Sequence, residues 1–516
     1  MSNVLDEIVD GLEPWSGMLP VLAGSRSPTL LALDIGSSGT RAALFDHKGR
    51  ELDGASVRAS YGHVTTDFAT FDAEILLEHV AKTIDSLFAT FAESAIRIEL
   101  ISISCFWHSL MGVDDAGNAT TPVLGWADAR AADAVYQLRS KFDEEKFHAR
   151  TGCRFHSSYW PAKLLRLQTD EPERFGATSR WLSFADYLAL QFFGETAASV
   201  SMASGTGLLN QRSCEWDEES VAAIGLSLSS LPEIASPQRT FTQLSHAYIS
   251  RWPQLSEARL VPAVGDGAAN SIGSGCHSTE RLALMIGTSG AMRLCFIGDP
   301  PERLPPALWS YRASRERVLV GGALSEGGGL FNWIKESLLP GEDFATVEAE
   351  LELLGPDAHG LTVLPFWAGE RSPGWNPAAR GTILGLSLQT LPSEILRAAM
   401  EAIAYRFALI AAALEPFAPG ATLIGSGNAL RLSPTWAQIL ADVLGRCVLV
   451  SNRQEASIRG AALLALEATG KIQSIEEVSA SVASPVETVC EPNLRHYAVY
   501  QEGLARQQRI YQKLFT

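Results

Sequence analysis

The chain has 516 residues, 46% of them hydrophobic and 19% charged, an ordinary globular composition on a chain too long for one core, so two large domains are expected. Lys and Arg total 41 against 58 Asp and Glu, and the formal net charge of −17 argues against a nucleic-acid binder or a protein held on anionic membranes. It leaves small anionic substrates open, because a pocket can be locally basic. The seven Cys are scattered without a CxxC and read as reduced thiols of a cytoplasmic protein. The N-terminal stretch lacks the basic region of a secretory signal, and no apolar run has the length of a membrane helix.

Residues 1–27 read as an extension ahead of the first strand. Leu30–Ile35 and Arg41–Phe45 are short apolar runs around a Gly/Ser turn, the pattern of a β-hairpin, and residues 47–50 form a second turn that predicts a strand meander. Residues 73–95 carry helical spacing through Ile75, Leu76, Val80, Ile84, Leu87 and Phe88. The stretch 98–105 reads as a buried strand. Strands and helices then recur to about residue 275. A second hairpin is expected over 282–296, with strands at 421–424 and 447–450 and helices over 434–444 and 457–468. The tail 491–514 has helical spacing.

The two hairpins are related. LALDIGSSGTRAALF, from Leu31, returns 251 residues on as LALMIGTSGAMRLCF, from Leu282, with eight of fifteen positions identical and no gap. Asp34 alone is not copied as an acid: its counterpart is Met285. A Gly/Ser/Thr turn exposes backbone N–H groups and hydroxyls without bulk and can wrap phosphate oxygens. Two such turns, one per domain, can clamp a polyphosphate across a cleft. The first offers Gly36, Ser37, Ser38, Gly39, Thr40 and Arg41, and the second Gly287, Thr288 and Ser289. A carboxylate inside an apolar strand needs a partner. A phosphate-bound Mg2+ is a suitable one for Asp34, and one metal needs that acid only once. Asp266, between two glycines in PAVGDGAANSIGSG, is placed to accept the proton of an attacking hydroxyl, and small neighbours are expected to let a substrate approach. The other reading of Asp266 is a turn residue that caps the following segment.

These motifs together resemble the FGGY family of carbohydrate kinases, from LALDIGSSGTRAALFD through HSLMGVDDAGNATTPVLGWADAR, PAVGDGAANSIGSG, LALMIGTSGAMRL, LPFWAGERSPGWNPAARGTILGL and GSGNALRLSPTWAQILADVLG to EASIRGAALLA. The resemblance implies an α/β fold of duplicated actin-like ATPase (ribonuclease H-like) domains with an interdomain cleft. It implies an N-terminal domain over 28–275, a C-terminal nucleotide-binding domain over 276–480 and a helical tail over 481–516. It implies ATP as donor with Mg2+, a small sugar or sugar acid as acceptor, Asp266 as catalytic base and second metal-associated acid beside Asp34, and no nucleic-acid or membrane partner; a homodimer is left open. Gly328 and Gly329 fall on the nucleotide wall. Gly427, Asn428 and Ala429 match the Gly-Gly-Ala turn that holds adenosine, with Asn428 in place of the second glycine and expected to tolerate a left-handed backbone there.

For the acceptor the candidates are His108 after the strand, and Trp126, Asp128 and Arg130 in WADAR; the other reading of that Asp and Arg is an ordinary ion pair at a helix start. The pattern is most similar to the gluconate kinases of the family, with xylulose and ribulose kinases close. A gluconate site needs a cation: Arg130 is the first choice, with Lys163 or Arg371 as contributors. His156, Glu326 and Glu370 read as structural. An actin-like ATPase without a sugar substrate, or a nucleotide-binding module that has lost catalysis, are the readings from other classes.

Overall fold

The computed structural model describes residues 29–61, 70–90, 96–451, 455–481 and 486–515; the extension expected over 1–27 lies outside them. The first apolar run is β1 (Leu30–Ile35), buried at every position because both of its faces are covered. Leu31, Leu33 and Ile35 point into the main core of the first half, and Leu30 and Ala32 into a separate apolar layer. The chain returns as β2 (Gly39–Phe45) and β3 (Glu51–Ser60). The Asp46 carboxylate fixes the turn between them by accepting from the Lys48 and Arg50 backbone N–H at 2.8 and 3.0 Å. Helix α1 (Ala73–Ala89) starts where the Asp72 side chain accepts from two free N–H groups of its first turn.

The first half continues through β4 (Leu100–Cys105), α2 (Trp160–Asp170), β5 (Arg259–Leu260), β6 (Val264–Gly265) and α3 (Asp266–Gly273). Its sheet runs β5-β4-β1-β2-β3, with β6 also paired to β4. The second half brings β7 (Arg281–Ile286), β8 (Gly290–Ile297), β9 (Trp309–Arg312), β10 (Arg317–Leu324), α4 (Gly328–Leu338), α5 (Pro392–Leu414), β11 (Thr422–Ser426), α6 (Pro434–Leu444) and β12 (Val448–Ser451). It closes with α7 (Ala456–Ala468), β13 (Val486–Cys490) and α8 (Leu494–Phe515). The second sheet runs β9-β10-β8-β7-β11-β12-β13. Its path β10-β8-β7-β11 repeats β3-β2-β1-β4, including the parallel pairing of the last two strands of each path. The chain is a duplicated α/β fold.

Two placements differ from what chain order suggests. Helix α7 follows the second sheet but packs on the first: Ile458, Ala462, Ala465 and Leu466 share a cluster with Leu30, Ala32 and Leu100. It crosses α3 at bare backbone, since a Cβ on Gly460 would stand 1.8 Å from the Ala269 carbonyl oxygen and one on Gly273 1.8 Å from that of Ala456. The tail is also more than a helix. It first adds β13 antiparallel to β12, and then α8 sets Gln507 against the Val363 and Ala402 carbonyls at 2.9 and 3.2 Å. Nearby, Asp357, His359 and Glu401 gather, the one such trio among the described residues able to surround a cation. Arg506 and Arg397 already neutralise its two acids, so the trio is an ion-pair network that fastens α8 to α5. All seven cysteines are free, and among the described residues no helix is long and apolar enough to cross a membrane.

Candidate active site in the interdomain cleft

The first hairpin turns over four residues, with Gly36 N–H donating to the Gly39 carbonyl at 3.0 Å, and its register sets Asp34 opposite Arg41. The buried Asp34 carboxylate accepts from Arg41 Nη1 at 2.8 Å and from Ser104 Oγ on β4 at 2.7 Å. Arg41 also pairs at 2.9 Å with Glu455, just ahead of α7. Arg41 is therefore occupied by acids from both halves. Ser37 and Ser38 are exposed at the tip, whereas Thr40 is turned inward with its hydroxyl 3.1 Å from that of Tyr61. The accessible part of this turn is its Gly36–Ser38 tip.

The second hairpin is one residue tighter. Gly287 N–H donates to the Ser289 carbonyl at 2.9 Å, and Met285 pairs with Ala291. The two sequences align without a gap, yet their ladders differ by one position. A shift of one exchanges the faces of a strand. Arg293, which aligns with Ala42 in sequence, thereby lands opposite Ala283, on the face that Met285 shares. It is 8% exposed, and its Nε and Nη1 have no hydrogen-bond partner among the described residues.

Both hairpins act on Asp266. This residue opens α3 directly after β6, at the carboxyl end of the parallel strands where α/β ligands sit. Its Oδ1 accepts from the Gly267 N–H at 2.8 Å and weakly from that of Trp107 at 3.4 Å. Burial pushes its pKa up, the Arg293 guanidinium pulls it down, and the Asp34 carboxylate pushes it up again. The sequence-based expectation that the flanking glycines clear room for substrate is corrected: they make room for protein side chains. A Cβ on Gly265 would stand 1.9 Å from the Trp107 indole, and one on Gly267 2.6 Å from that ring and 2.9 Å from Arg293 Nε. The space belongs to the two side chains that hold Asp266 in place.

The residues expected on the nucleotide wall converge on the second turn. Gly328 N–H donates to the Gly287 carbonyl at 2.7 Å and Gly329 N–H to that of Thr288 at 2.9 Å. These helix-start groups brace the turn and are not free donors. A Cβ on Gly328 would stand 3.7 Å from the Ala429 Cβ, which puts the 427–429 segment on the same wall. Gly427 has φ +95° and lies so close to β7 that a Cβ would be 2.2 Å from the Ile286 carbonyl oxygen. The expectation for Asn428 is corrected: it opens a short helix, Asn428–Leu432, and the left-handed position is Gly427 before it.

At the acceptor end, His108 leaves β4 with φ +68°. Its Nδ1 meets the Gly205 carbonyl at 2.5 Å and its Nε2 lies 3.2 Å from Arg371 Nη2. A guanidinium only donates, so Nε2 accepts and Nδ1 carries the proton. Burial and then Arg371 hold this imidazole neutral, well below its usual pKa. Buried Lys163 donates to the His108 carbonyl at 2.7 Å and the Leu124 carbonyl at 3.3 Å, and burial lowers its pKa to about 7. Arg371 lies over the Trp126 ring, 5.5 Å from its centroid, and has no ion-pair partner among the described residues. Arg130 is arranged differently. It holds Asp128 through Nε at 2.8 Å and Nη2 at 2.7 Å, and its side chain is 46% exposed. The WADAR acid and base form a local pair, and the uncommitted cation beside His108 and Trp126 is Arg371.

Residues 29–273 match the N-terminal domain, and residues 282–469 the C-terminal domain, of the FGGY family of carbohydrate kinases. The chain belongs to this family. It is 26% identical to a gluconokinase of Bacillus subtilis (strain 168) over 501 residues, covering 94% of this chain and 97% of that one. The gluconate kinase structure from Lactobacillus acidophilus superposes with a TM-score of 0.84 at 25% identity, over 94% of this chain and 98% of that one. A ligand-bound xylulose kinase structure from the same organism gives 0.84 at 26% identity, with the same coverage. This FGGY kinase is thus an enzyme that transfers phosphate to a sugar hydroxyl, and the family's phosphate donor is ATP.

Sequence inspection did not single out Arg293 or Trp107 in this kinase. Arg293 did leave a signal, as the one charged residue in LALMIGTSGAMRLCF. The residues read as structural are built in: His156 packs edge-on against Trp375 with its pKa lowered to about 3 by burial, and Glu370 is paired with Arg406 and Tyr511. Glu326 accepts from the Ala368 N–H, and burial raises its pKa to about 7.

Proposed function

We propose that this FGGY kinase phosphorylates D-gluconate to 6-phosphogluconate, with Mg-ATP as donor. The observation that carries the reading is Arg371. A buried guanidinium stacked on Trp126, beside a neutral histidine and without a carboxylate partner among the described residues, lacks a counter-ion that an acidic substrate supplies. The likeness to gluconokinases supports the same choice.

In this reading His108 and Trp126 frame the polyol and Arg371 takes its acid end. Asp266 accepts the proton as the substrate hydroxyl oxygen bonds to the γ-phosphorus. The bond from that phosphorus to the bridging oxygen breaks, and ADP leaves. The tips of the two hairpins hold the phosphates, with Arg293 facing the charge that develops beside Asp266. Mg2+ bound to the phosphates would neutralise their charge. The donor set suits it: two carboxylates from Asp34 and Asp266 face one cleft, and each Asp34 oxygen keeps a lone pair after bonding Arg41 or Ser104.

A pentulose such as xylulose is the second reading, favoured by the equal likeness to the xylulose kinase structure. Release of ADP from Mg-ATP with gluconate, xylulose, ribulose, glycerol or erythritol separates the two. Gluconate should give the highest kcat/KM. A higher value for a pentulose would replace the gluconate assignment, and no release above a no-sugar blank with any of them would leave the acceptor outside this panel.

A further inference from the structure

A cavity of about 440 Å³ lies on the other side of the strand that leads into Asp266, and none of the active-site residues above lines it. Its walls come from both halves: Ser102 and Val264 from the first sheet, Ser201 from the short helix Val200–Ser204, Ala313 and Arg315 from the β9–β10 turn, and the last two turns of α7. That volume suits an organic molecule rather than a few waters.

Apart from the exposed Glu316, whose carboxylate accepts from the Ser314 hydroxyl at 3.0 Å, the charges on its walls are already neutralised. Arg317 is paired with Glu467 and Glu476 at 2.8 and 2.7 Å, and Arg315 with Glu215 at 2.9 Å. A charged ligand would lose its hydration without gaining a counter-ion. Most of the remaining wall is aliphatic: Ile103, Val200, Val264, Leu464 and Ala465. One polar group points to what an occupant must offer. Ser102 is 2% exposed, and its hydroxyl has no hydrogen-bond partner among the described residues.

We propose that this cavity is a binding site for a small uncharged molecule with an apolar body and one hydroxyl or carbonyl, which meets Ser102 Oγ. The site is coupled to catalysis by its position. Val264 is a wall, and the next residue, Gly265, donates its N–H to Ser201 Oγ at 3.1 Å; Asp266 follows. The Ser201 carbonyl in turn accepts from the Trp107 indole N–H at 2.9 Å, and Trp107 is the ring packed on both glycines beside Asp266. An occupant touching Val264 and Ser201 in one half and Ala313 in the other fixes both the seat of Asp266 and the spacing of the halves. It should change turnover without competing with either substrate.

Ligand-observed NMR on the full-length protein, without ATP or sugar, tests the binding apart from the identity of the kinase substrate. Benzyl alcohol is the probe and benzoate its charged counterpart. Benzyl alcohol should bind saturably, and benzoate at least about tenfold more weakly. Ala468→Trp, at an exposed wall position, should block the cavity and remove the binding. Ser102→Ala should weaken benzyl alcohol about two- to tenfold and leave toluene unchanged, the loss expected for one neutral hydrogen bond. Non-saturable binding, equal binding of benzoate, or full binding to Ala468→Trp would each overturn the site. If it binds, steady-state inhibition or activation by benzyl alcohol should be non-competitive with ATP and with the sugar; a competitive pattern against either would place the probe in the active cleft and overturn the assignment.

Discussion

The two hairpins began as one device and now differ in where their charge is balanced. In the first, Asp34 is answered by Arg41 within the same hairpin. In the second, Arg293 has no acid of its own and faces Asp266, a residue of the other half. The one-residue tighter turn makes this difference, because it puts Arg293 on the face that looks across the cleft. The asymmetry suits phosphoryl transfer, which needs one base and converging positive charge rather than two equal clamps. A repeat that is gapless in sequence has become two unlike parts through a single shift in pairing.

The severest way to test this division of labour is to remove the group on which both hairpins act. Asp266→Asn keeps the shape and the hydrogen bond from Gly267 but cannot take a proton. Turnover should fall by about 100- to 10,000-fold, the usual contribution of a positioned base, while sugar and nucleotide still bind. Near-native turnover with binding intact would place the base elsewhere.

Next in size is the contrast between two arginines near the acceptor. Arg371→Ala should cost about 2–4 kcal/mol in kcat/KM for gluconate, the loss of a charge-assisted pair whose partner stays desolvated. Its effect on a neutral polyol should be smaller, and Arg371→Lys should restore only part of the gluconate rate, since lysine lacks the planar fork. Arg130→Ala should weaken all acceptors alike and modestly, by loosening Asp128. Equal losses on gluconate and a neutral polyol in Arg371→Ala would remove the support for an acid substrate.

The hairpins themselves can be played against each other through the pH profile. Asp266 must be ionised to act, so the acid limb of kcat/KM reports its pKa. Arg293 lowers that pKa and Asp34 raises it. Arg293→Gln should move the limb to higher pH, and Asp34→Asn should move it to lower pH in whatever activity remains. Shifts of the same sign in both variants would show that the hairpins do not oppose each other at Asp266.

Much of this arrangement was legible in the residues. Strand alternation and Gly/Ser turns gave both hairpins, and helix 434–444 was met to the residue, because those signals are local. The lone acid at Asp34 and the glycine-flanked Asp266 stood out because a carboxylate among apolar or small residues needs a partner, and the structure brings the Asp34 charge to bear on Asp266. What was hidden depended on distance. Nothing local tells that α7 packs on the first sheet, or that Gly265 and Gly267 make room for Trp107. WADAR allowed a substrate arginine or an Asp–Arg ion pair, and the structure shows the pair between Arg130 and Asp128. Arg371 needed the fold to bring it 263 residues back to His108.

The last contrast concerns stability, and it again sets one half against the other. Lys163 in the first half has its pKa lowered from 10.5 to about 7, first by burial. Between those values the unfolded chain holds a proton there that the folded chain has released, so this group makes stability rise as pH increases from about 7 towards 10.5. Glu326 in the second half has its pKa raised from 4.5 to about 7, also first by burial. Between those values the folded chain holds a proton that the unfolded chain has lost, so this group makes stability fall as pH increases from 4.5 to about 7. Together they contribute a minimum near neutrality, with one arm set by each half. Denaturant midpoints measured from pH 5 to 9 should show Glu326→Gln flattening the acid arm alone, since glutamine still accepts from Ala368, and Lys163→Met flattening the alkaline arm alone. A variant that flattens both arms would mean that the two halves titrate as one unit, joined through α7, and not as two independently charged parts.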